Sequence, residues 1–328
     1  MQPMPLRIAI VRLSALGDII NTAVVLQIIH SYTPNAVIDW FVEEAFAPIL
    51  EHHPLLQEVI PIPLKRLKKT KSFVLLKEMI HTLKSREPYD HIIDAQGLLK
   101  SAIITALLKG KVHGFDRKSA REGVAAWFYN TTSSIPYNIS VIRRNVMVIT
   151  EALKIPYSEE LISNKVPVFP LTSSPFENKK IAVVIGASWK SKCYPKEQFS
   201  ILCDLLPTPC HLIWGSEAEY NDALWIQEHS SNAIVTPKMS LPQLVQFIAH
   251  CDLTIGNDTG PTHIAWAMNR PSITLFGPTN ERMIYPTPIN IRIKSPSKVD
   301  IFHINRNDFS IAQIDPHLIA TKAKELLV

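Results

Sequence analysis

Gly256-Asn257-Asp258-Thr259-Gly260-Pro261-Thr262-His263 lies between the apolar run Asp252-Leu253-Thr254-Ile255 and the helix-like Ile264-Ala265-Trp266-Ala267-Met268. A short buried strand that breaks at glycine and restarts as a helix leaves backbone N–H groups pointing out of the turn, ready for an anion. Pro261 suits a first helical turn, where its missing N–H is no loss, and Thr259 or Asp258 is placed to cap the helix. Pro271-Ser272-Ile273-Thr274-Leu275-Phe276-Gly277-Pro278-Thr279 repeats the pattern as a second strand ending in a Gly-Pro turn. Two adjacent strands with glycine-rich carboxyl ends make the kind of crevice in which open α/β sheets hold ligands. The turn is also more polar than a cap requires: Asp258, Thr259, Thr262 and His263 cluster where one side chain would serve.

The chain of 328 residues is long enough for two domains, each with its own core. Hydrophobic residues make up 46% and charged residues 19%, the balance of a globular protein rather than a disordered one. No apolar run reaches the roughly 18 residues of a membrane-spanning helix, and Met1-Gln2-Pro3-Met4-Pro5-Leu6-Arg7 lacks the regions of a signal peptide. A cytoplasmic location is the expectation. Cys193, Cys203, Cys210 and Cys251 show no CxxC pair and no histidine at ligand spacing, so reduced, mostly buried thiols and no metal site are expected. The net charge of +5 arises entirely in the first half: residues 1–170 hold 20 Lys+Arg against 15 Asp+Glu, residues 171–328 hold 14 against 14. Within residues 61–121 the balance is 14 against 5, which points to an acidic partner such as phosphate, a carboxylate sugar or an anionic membrane surface.

From the start, Arg7-Ile8-Ala9-Ile10-Val11-Arg12-Leu13 fits a buried parallel strand, followed by Ser14-Ala15-Leu16-Gly17-Asp18 and an apolar helix from Ile19 to Ile29. Neither GxGxxG nor a P-loop is present, which disfavours redox dinucleotide chemistry. Asp18 either caps its helix or acts in catalysis; the residues alone leave both open. Val37–Val42 and Glu58–Ile62 read as further strands, flanking a helix-like Ala45–Leu50. Lys65-Arg66-Leu67-Lys68-Lys69-Thr70-Lys71 then precedes an amphipathic segment, Phe73 to Leu83. Such a charge run is by default a solvated loop and helix face; Arg117, Lys118 and Arg121 on a second loop favour an anionic ligand or membrane. His91–Ala102 joins strand to helix through a polar turn that aims Gln96 and Lys100 at the same crevice as Asp18. A helix is expected around Ala120-Arg121-Glu122 and another from Arg143 to about Leu153. Pro156 to Pro175 reads as a linker, interrupted by Pro167 and Pro170. A second α/β alternation follows, with strands at Lys180–Gly186, Cys210–Gly215 and Ala233–Val235, a helix from Gln243 to Ala249, and a closing helix from Ile314 to Leu327.

The resemblance to a known family becomes specific on several segments. They include Val11-Arg12-Leu13-Ser14-Ala15-Leu16-Gly17-Asp18, Asp39-Trp40-Phe41-Val42-Glu43-Glu44, Ile93-Asp94-Ala95-Gln96-Gly97-Leu98-Leu99-Lys100-Ser101-Ala102, His113-Gly114, Phe128-Tyr129-Asn130, Lys238-Met239-Ser240-Leu241 and Asp258-Thr259-Gly260. In this order, over nearly the whole chain, they resemble the bacterial lipopolysaccharide heptosyltransferases, the ADP-heptose glycosyltransferase family. The Asp-Ala-Gln-Gly-Leu-Leu-Lys-Ser run favours type I over type II. The resemblance implies a GT-B fold, two Rossmann-like domains with parallel sheets facing across a central cleft. Residues 1–166 would bind the acceptor and residues 167–328 the ADP-heptose, with the closing helix 314–327 packing back on the first domain. It implies an inverting, metal-independent transfer of L-glycero-D-manno-heptose to the Kdo region of Kdo-lipid A, in inner-core synthesis, with no cofactor.

By the same resemblance Asp18 is the general base and Lys192 the phosphate-binding lysine, with Ser188 and the backbone of Thr259 and Gly260 beside it. Asp258 would bind the donor sugar, Glu219 the ribose and Met239 the adenine, while Glu217 stays a rival for the ribose. His263 either touches the diphosphate or sugar, or packs locally. Trp189, Lys190 and Cys193-Tyr194 depart from the family pattern. Gln96 and Lys100, with the cations Lys65, Arg66, Lys68, Lys69, Arg117, Lys118 and Arg121, would meet the acceptor's carboxylates and phosphates. The cations would also draw the protein peripherally to the cytoplasmic face of the inner membrane. Two other readings stay open: a type II-like enzyme with another acceptor, and a non-catalytic nucleotide- or anion-binding protein. Nucleic acid is not the expected partner, since the basic stretch has no interleaved stacking aromatics.

Overall fold

The structure is a computed structural model that describes residues 5–171 and 180–327. Residues 1–4 of the opening segment and Pro175 of the expected linker lie outside the described residues. The chain divides into two units, Met1–Pro170 and Leu171–Val328, where the sequence suggested a division after residue 166.

The first unit carries strands β1 (Arg7–Val11), β2 (Val37–Glu43), β3 (Glu58–Ile62), β4 (Tyr89–Asp94), β5 (Gly110–Phe115) and β6 (Thr131–Ser133). They form one parallel sheet in the order β3-β2-β1-β4-β5-β6. Its helices are α1 (Leu16–Ala23), α2 (Val25–Tyr32), α3 (Leu64–Thr70), α4 (Phe73–Lys84), α5 (Leu99–Leu107), α6 (Val141–Leu153) and α7 (Glu160–Ser163). The second unit carries β7 (Ile181–Val184), β8 (Cys210–Ile213), β9 (Ala233–Val235), β10 (Leu253–Asn257), β11 (Ser272–Phe276) and β12 (Asn290–Lys294). Its sheet is also parallel, in the order β12-β11-β10-β7-β8-β9. Helices α8 (Lys196–Leu205), α9 (Glu217–Glu228), α10 (Leu241–Ala249), α11 (Gly260–Ala267) and α12 (Pro316–Leu326) complete it. Counted within its own unit, each sheet has the doubly wound order 3-2-1-4-5-6, whose direction reverses beside the first strand.

Strands buried on both faces explain the continuous apolar runs. β10 and β11 are buried throughout, and β1 from Ile8 onward. Several expectations need correction. The helix expected from Ile19 to Ile29 is two helices that part at Val24. Inside the first, the Thr22 hydroxyl bonds back to the Asp18 carbonyl at 2.6 Å, a contact that bends helices. The basic run, expected as a solvated loop and helix face, is mostly the helix α3. Ala120-Arg121-Glu122 is a turn, and a 3-10 helix follows it at Gly123–Phe128. The closing helix α12 buries Ile319, Ala320 and Ala323 in the second unit's core, where it packs on α8. All four cysteines are free, three of them buried.

Candidate active site

In the first unit β1 and β4 are neighbours at the reversal point, with Val11 opposite Asp94. Arg12, the next residue after β1, is buried, and its guanidinium needs partners there. It bonds the Ala95 carbonyl and pairs with Asp18 Oδ1 at 2.9 Å. Asp18 Oδ2 accepts the Ala15 N–H at 3.2 Å, so the residue caps its own helix while its side chain remains 22% exposed. Capping and chemistry are therefore compatible at this carboxylate.

The turn after β4 is held by Asp94, which is fully buried. Its Oδ1 accepts the N–H of Gln96 (2.8 Å) and of Gly97 (3.1 Å), and the Tyr129 hydroxyl donates to its Oδ2 at 2.7 Å. Burial dominates its titration and raises its pKa despite these donors. Gly97 sits at φ +68°, and a Cβ there would lie 3.1 Å from the Phe115 ring, so the turn calls for glycine. Gln96 Oε1 accepts the Leu13 N–H at 2.7 Å. Ser14 Oγ then joins two expected acceptor residues, accepting from Gln96 Nε2 at 3.2 Å and from Lys100 Nζ at 2.6 Å. Desolvation lowers the Lys100 pKa. Asp18, Gln96 and Lys100 thus converge through Arg12 and Ser14, neither of which the sequence reading singled out. The available signal was an arginine ending an otherwise β-branched run.

The other cations expected to meet the acceptor are exposed. On α3, Arg66 pairs with Glu44 at 3.3 Å and Lys65 lies over the Phe46 ring at 4.8 Å, while Lys68 and Lys69 face solvent. Arg117, Lys118 and Arg121 belong to the turn after β5. Buried Arg144 of α6 anchors that turn. It donates to the Ser119 carbonyl at 2.6 Å and the Ile135 carbonyl at 2.9 Å, with its guanidinium over Phe115 at 4.6 Å.

In the second unit β7 and β10 are the corresponding neighbours. Asn257 joins them, accepting the Tyr194 N–H at 2.9 Å and donating to the Ile185 carbonyl at 2.8 Å. Asp258 follows and is buried. Its Oδ2 lies 2.8 Å from Lys192 Nζ and accepts the Thr279 hydroxyl at 2.8 Å; its Oδ1 lies 3.3 Å from His263 Nε2. Burial pushes this carboxyl's pKa up, but the Lys192 charge and the His263 bond outweigh it and hold the group below the usual carboxylate range. Neither residue expected to cap α11 does so through its side chain: Thr259 is the N-cap without a side-chain bond, and Asp258 is turned to its cation. Thr262 Oγ1 instead donates to the Asn257 carbonyl at 2.8 Å.

Lys192 comes from a 3-10 turn, Lys190–Lys192, after β7, and Ser188 is exposed on the same loop. Glu219, in the first turn of α9, accepts the N–H of Gly215 (2.7 Å) and of Ser216 (3.0 Å) through Oε2. Its Oε1 lies where a Cβ on Gly186 would come within 2.2 Å, so Glu219 is laid against the end of β7, whereas Glu217 is exposed. Met239 is half-buried just before α10. Beside it Lys238 lies over Trp214 at 5.8 Å, and Trp214 donates to the Thr236 carbonyl at 2.8 Å. Thr279 and Trp214 escaped the sequence reading, although an aromatic between a strand and a glycine was a visible mark for the latter.

Doubly wound sheets hold nucleotides where the strand order reverses. A chain with two such sheets, the second ending in a lysine-paired aspartate and a helix N-terminus, has the architecture of the GT-B glycosyltransferases. Residues 77–298 match glycosyltransferase family 9 (heptosyltransferase). The chain is 37% identical to lipopolysaccharide heptosyltransferase 1 of Campylobacter coli, over 98% of its own length and 99% of the relative's. With the Escherichia coli K12 lipopolysaccharide heptosyltransferase 1 the identity is 31%, over 85% and 90% of the two chains. Among solved structures, E. coli heptosyltransferase WaaC with ADP-2-deoxy-2-fluoro heptose superposes with a TM-score of 0.81 at 26% identity, covering 98% of this chain and 99% of that one. The chain belongs to glycosyltransferase family 9, the heptosyltransferases.

Proposed function

We propose that the protein transfers L-glycero-D-manno-heptose from ADP-heptose to a Kdo hydroxyl of Kdo-lipid A, with inversion and without a metal ion. The observation that carries this reading is the division of chemistry between the two reversal points. One holds a solvent-reachable carboxylate; the other holds a buried lysine–aspartate pair beside a helix N-terminus. The relatives' names and the WaaC complex with a fluorinated ADP-heptose support the donor assignment.

In a single displacement the acceptor oxygen attacks the anomeric carbon as the bond to ADP breaks. The electron pair of that bond goes to the β-phosphate oxygen, and the hydroxyl proton goes to Asp18. Arg12 and the Ala15 N–H fix the carboxylate for this step, and a positioned base of this kind contributes about 10²- to 10⁴-fold. Lys192 and the first-turn amides of α11 offset the charge growing on the departing diphosphate. Asp258, set by His263 and Thr279, orients Lys192 and meets heptose hydroxyls; Ser188, Thr259 and Gly260 line the phosphates, Glu219 the ribose and Met239 the adenine. Gln96, Lys100 and the cations of α3 and the 116–122 turn take the acceptor. Exposed Phe73 and Val74, which follow the lysines of α3 in the chain, and exposed Trp127, six residues after Arg121, suit a lipid surface.

The test is transfer from ADP-heptose to deacylated Kdo-lipid A, read as ADP release and product mass. Wild type gains one heptose. Asp18→Asn loses at least about 100-fold in kcat while ADP affinity is unchanged. An Asp18→Asn enzyme that turned over normally would remove Asp18 from the chemistry, and a wild type that bound ADP without transferring heptose would refute the reaction.

A further inference from the structure

The Trp189 ring lies beside two cations. Lys192 Nζ is 5.0 Å and Arg306 Cζ 5.1 Å from its centroid, so the two charges are at most about 10 Å apart. They are not equivalent. Lys192 is buried and already neutralised by Asp258 at 2.8 Å. Arg306 is exposed and makes no ion pair with a carboxylate among the described residues. The indole Nε1 is shielded from solvent and has no hydrogen-bond partner among the described residues.

Arg306 belongs to the segment between β12 and α12, and that segment is pinned to the carboxyl end of the second sheet. The Ser295 N–H donates to the Phe276 carbonyl at 2.8 Å, and the Ser295 and Ser310 hydroxyls bond at 2.8 Å. Asp308 Oδ1 accepts the Ser310 N–H at 2.9 Å, and the Tyr194 hydroxyl donates to the Ile314 carbonyl at 2.6 Å. The guanidinium is thereby delivered to the loop that supplies Lys192.

We infer that Arg306, braced on Trp189, is a second cation for the donor diphosphate, an inference that rests on the ADP-heptose reading of this site. A diphosphate brings more negative charge than a lysine already shared with an aspartate can balance. Arginine's planar fork takes phosphate oxygens in pairs and stacks on an aromatic face at the same time. The Trp189 ring is then a positioning group.

The experiment measures ADP and adenosine binding by calorimetry at low salt, together with the donor KM, for wild type, Arg306→Ala, Arg306→Lys, Trp189→Ala and the Arg306→Ala/Trp189→Ala double variant. Arg306→Ala should weaken ADP roughly tenfold and raise the donor KM in step, while adenosine binding stays unchanged. Lysine should recover part of the loss. The double variant should lose little more than Trp189→Ala alone, as coupled groups do. Arg306→Ala binding ADP within about twofold of wild type would overturn this inference and leave the heptosyltransferase reading intact. A wild type that bound no ADP would overturn both.

Discussion

Lys192 and Asp258 form one buried contact on which the proposed reaction and the stability of the second unit would both draw. Their side chains are only 9% and 3% exposed, so either charge alone would be stranded away from water. Lys192→Ala should therefore lower stability by about 3 kcal/mol as well as donor affinity, whereas Lys192→Ala/Asp258→Asn should regain most of the stability and none of the affinity. Urea melts and ADP calorimetry on the two variants check this; a double variant no more stable than Lys192→Ala would mean that the stranded carboxylate is not what destabilises the single variant. The same carboxylate sets an acid response. Its folded pKa lies below the ordinary value, so its contribution is complete above about pH 4 and is lost as the pH falls through the folded value. At this scale Asp258, His263 and Lys192 were legible, the first two from polar density beside a strand end and the third from family likeness. Arg12 and Thr279 were not, because their roles depend on partners that only folding brings near.

At the scale of elements, the loop after β7 and the first turn of α9 interlock. Ser216 and Glu219 form a reciprocal cap, the Ser216 hydroxyl accepting the Glu219 N–H at 3.3 Å while the Glu219 carboxylate accepts the Ser216 N–H. The helix start thus fixes a carboxylate against Gly186. Gly186→Ala should push Glu219 aside and weaken ADP about tenfold with the fold kept, which calorimetry and circular dichroism would measure together. ADP bound as tightly as by wild type would remove Glu219 from the nucleotide site. The sequence reading placed the central strands β1, β2, β4, β7, β8, β10 and β11, whose apolar runs follow from burial on both faces. It missed β5, β6 and β12. β6 is three polar residues at a sheet edge and carries no pattern; β12, Asn-Ile-Arg-Ile-Lys, alternates as a half-buried edge strand does, and that signal went unread.

For the molecule as a whole, the first unit concentrates the positive charge and exposes large apolar side chains near it, Phe73 at 76%, Val74 at 65% and Trp127 at 74%. No helix among the described residues is long and apolar enough to cross a membrane. Binding of this surface to vesicles of acidic phospholipid should be electrostatic, with each nearby cation adding about 1 kcal/mol. Raising the salt should release most of the protein, and Phe73→Ser/Trp127→Ser should abolish the salt-resistant remainder, as sedimentation would show. Equal binding to neutral and acidic vesicles would refute the electrostatic part. The sequence by itself determined the α/β class, the twofold division, the placing of polar loops at strand ends and the family. These follow from apolar runs, glycine and proline positions and local motifs, all of them short-range properties of the chain. Only the tertiary structure decided that Asp18 is held by Arg12, that Asp258 turns to Lys192 rather than capping α11, that Glu219 rather than Glu217 meets β7, and that Arg306 reaches Trp189. Each of these is a contact between separate strand ends or loops, or the orientation of a side chain around such a contact, and sequence spacing carries no information about either.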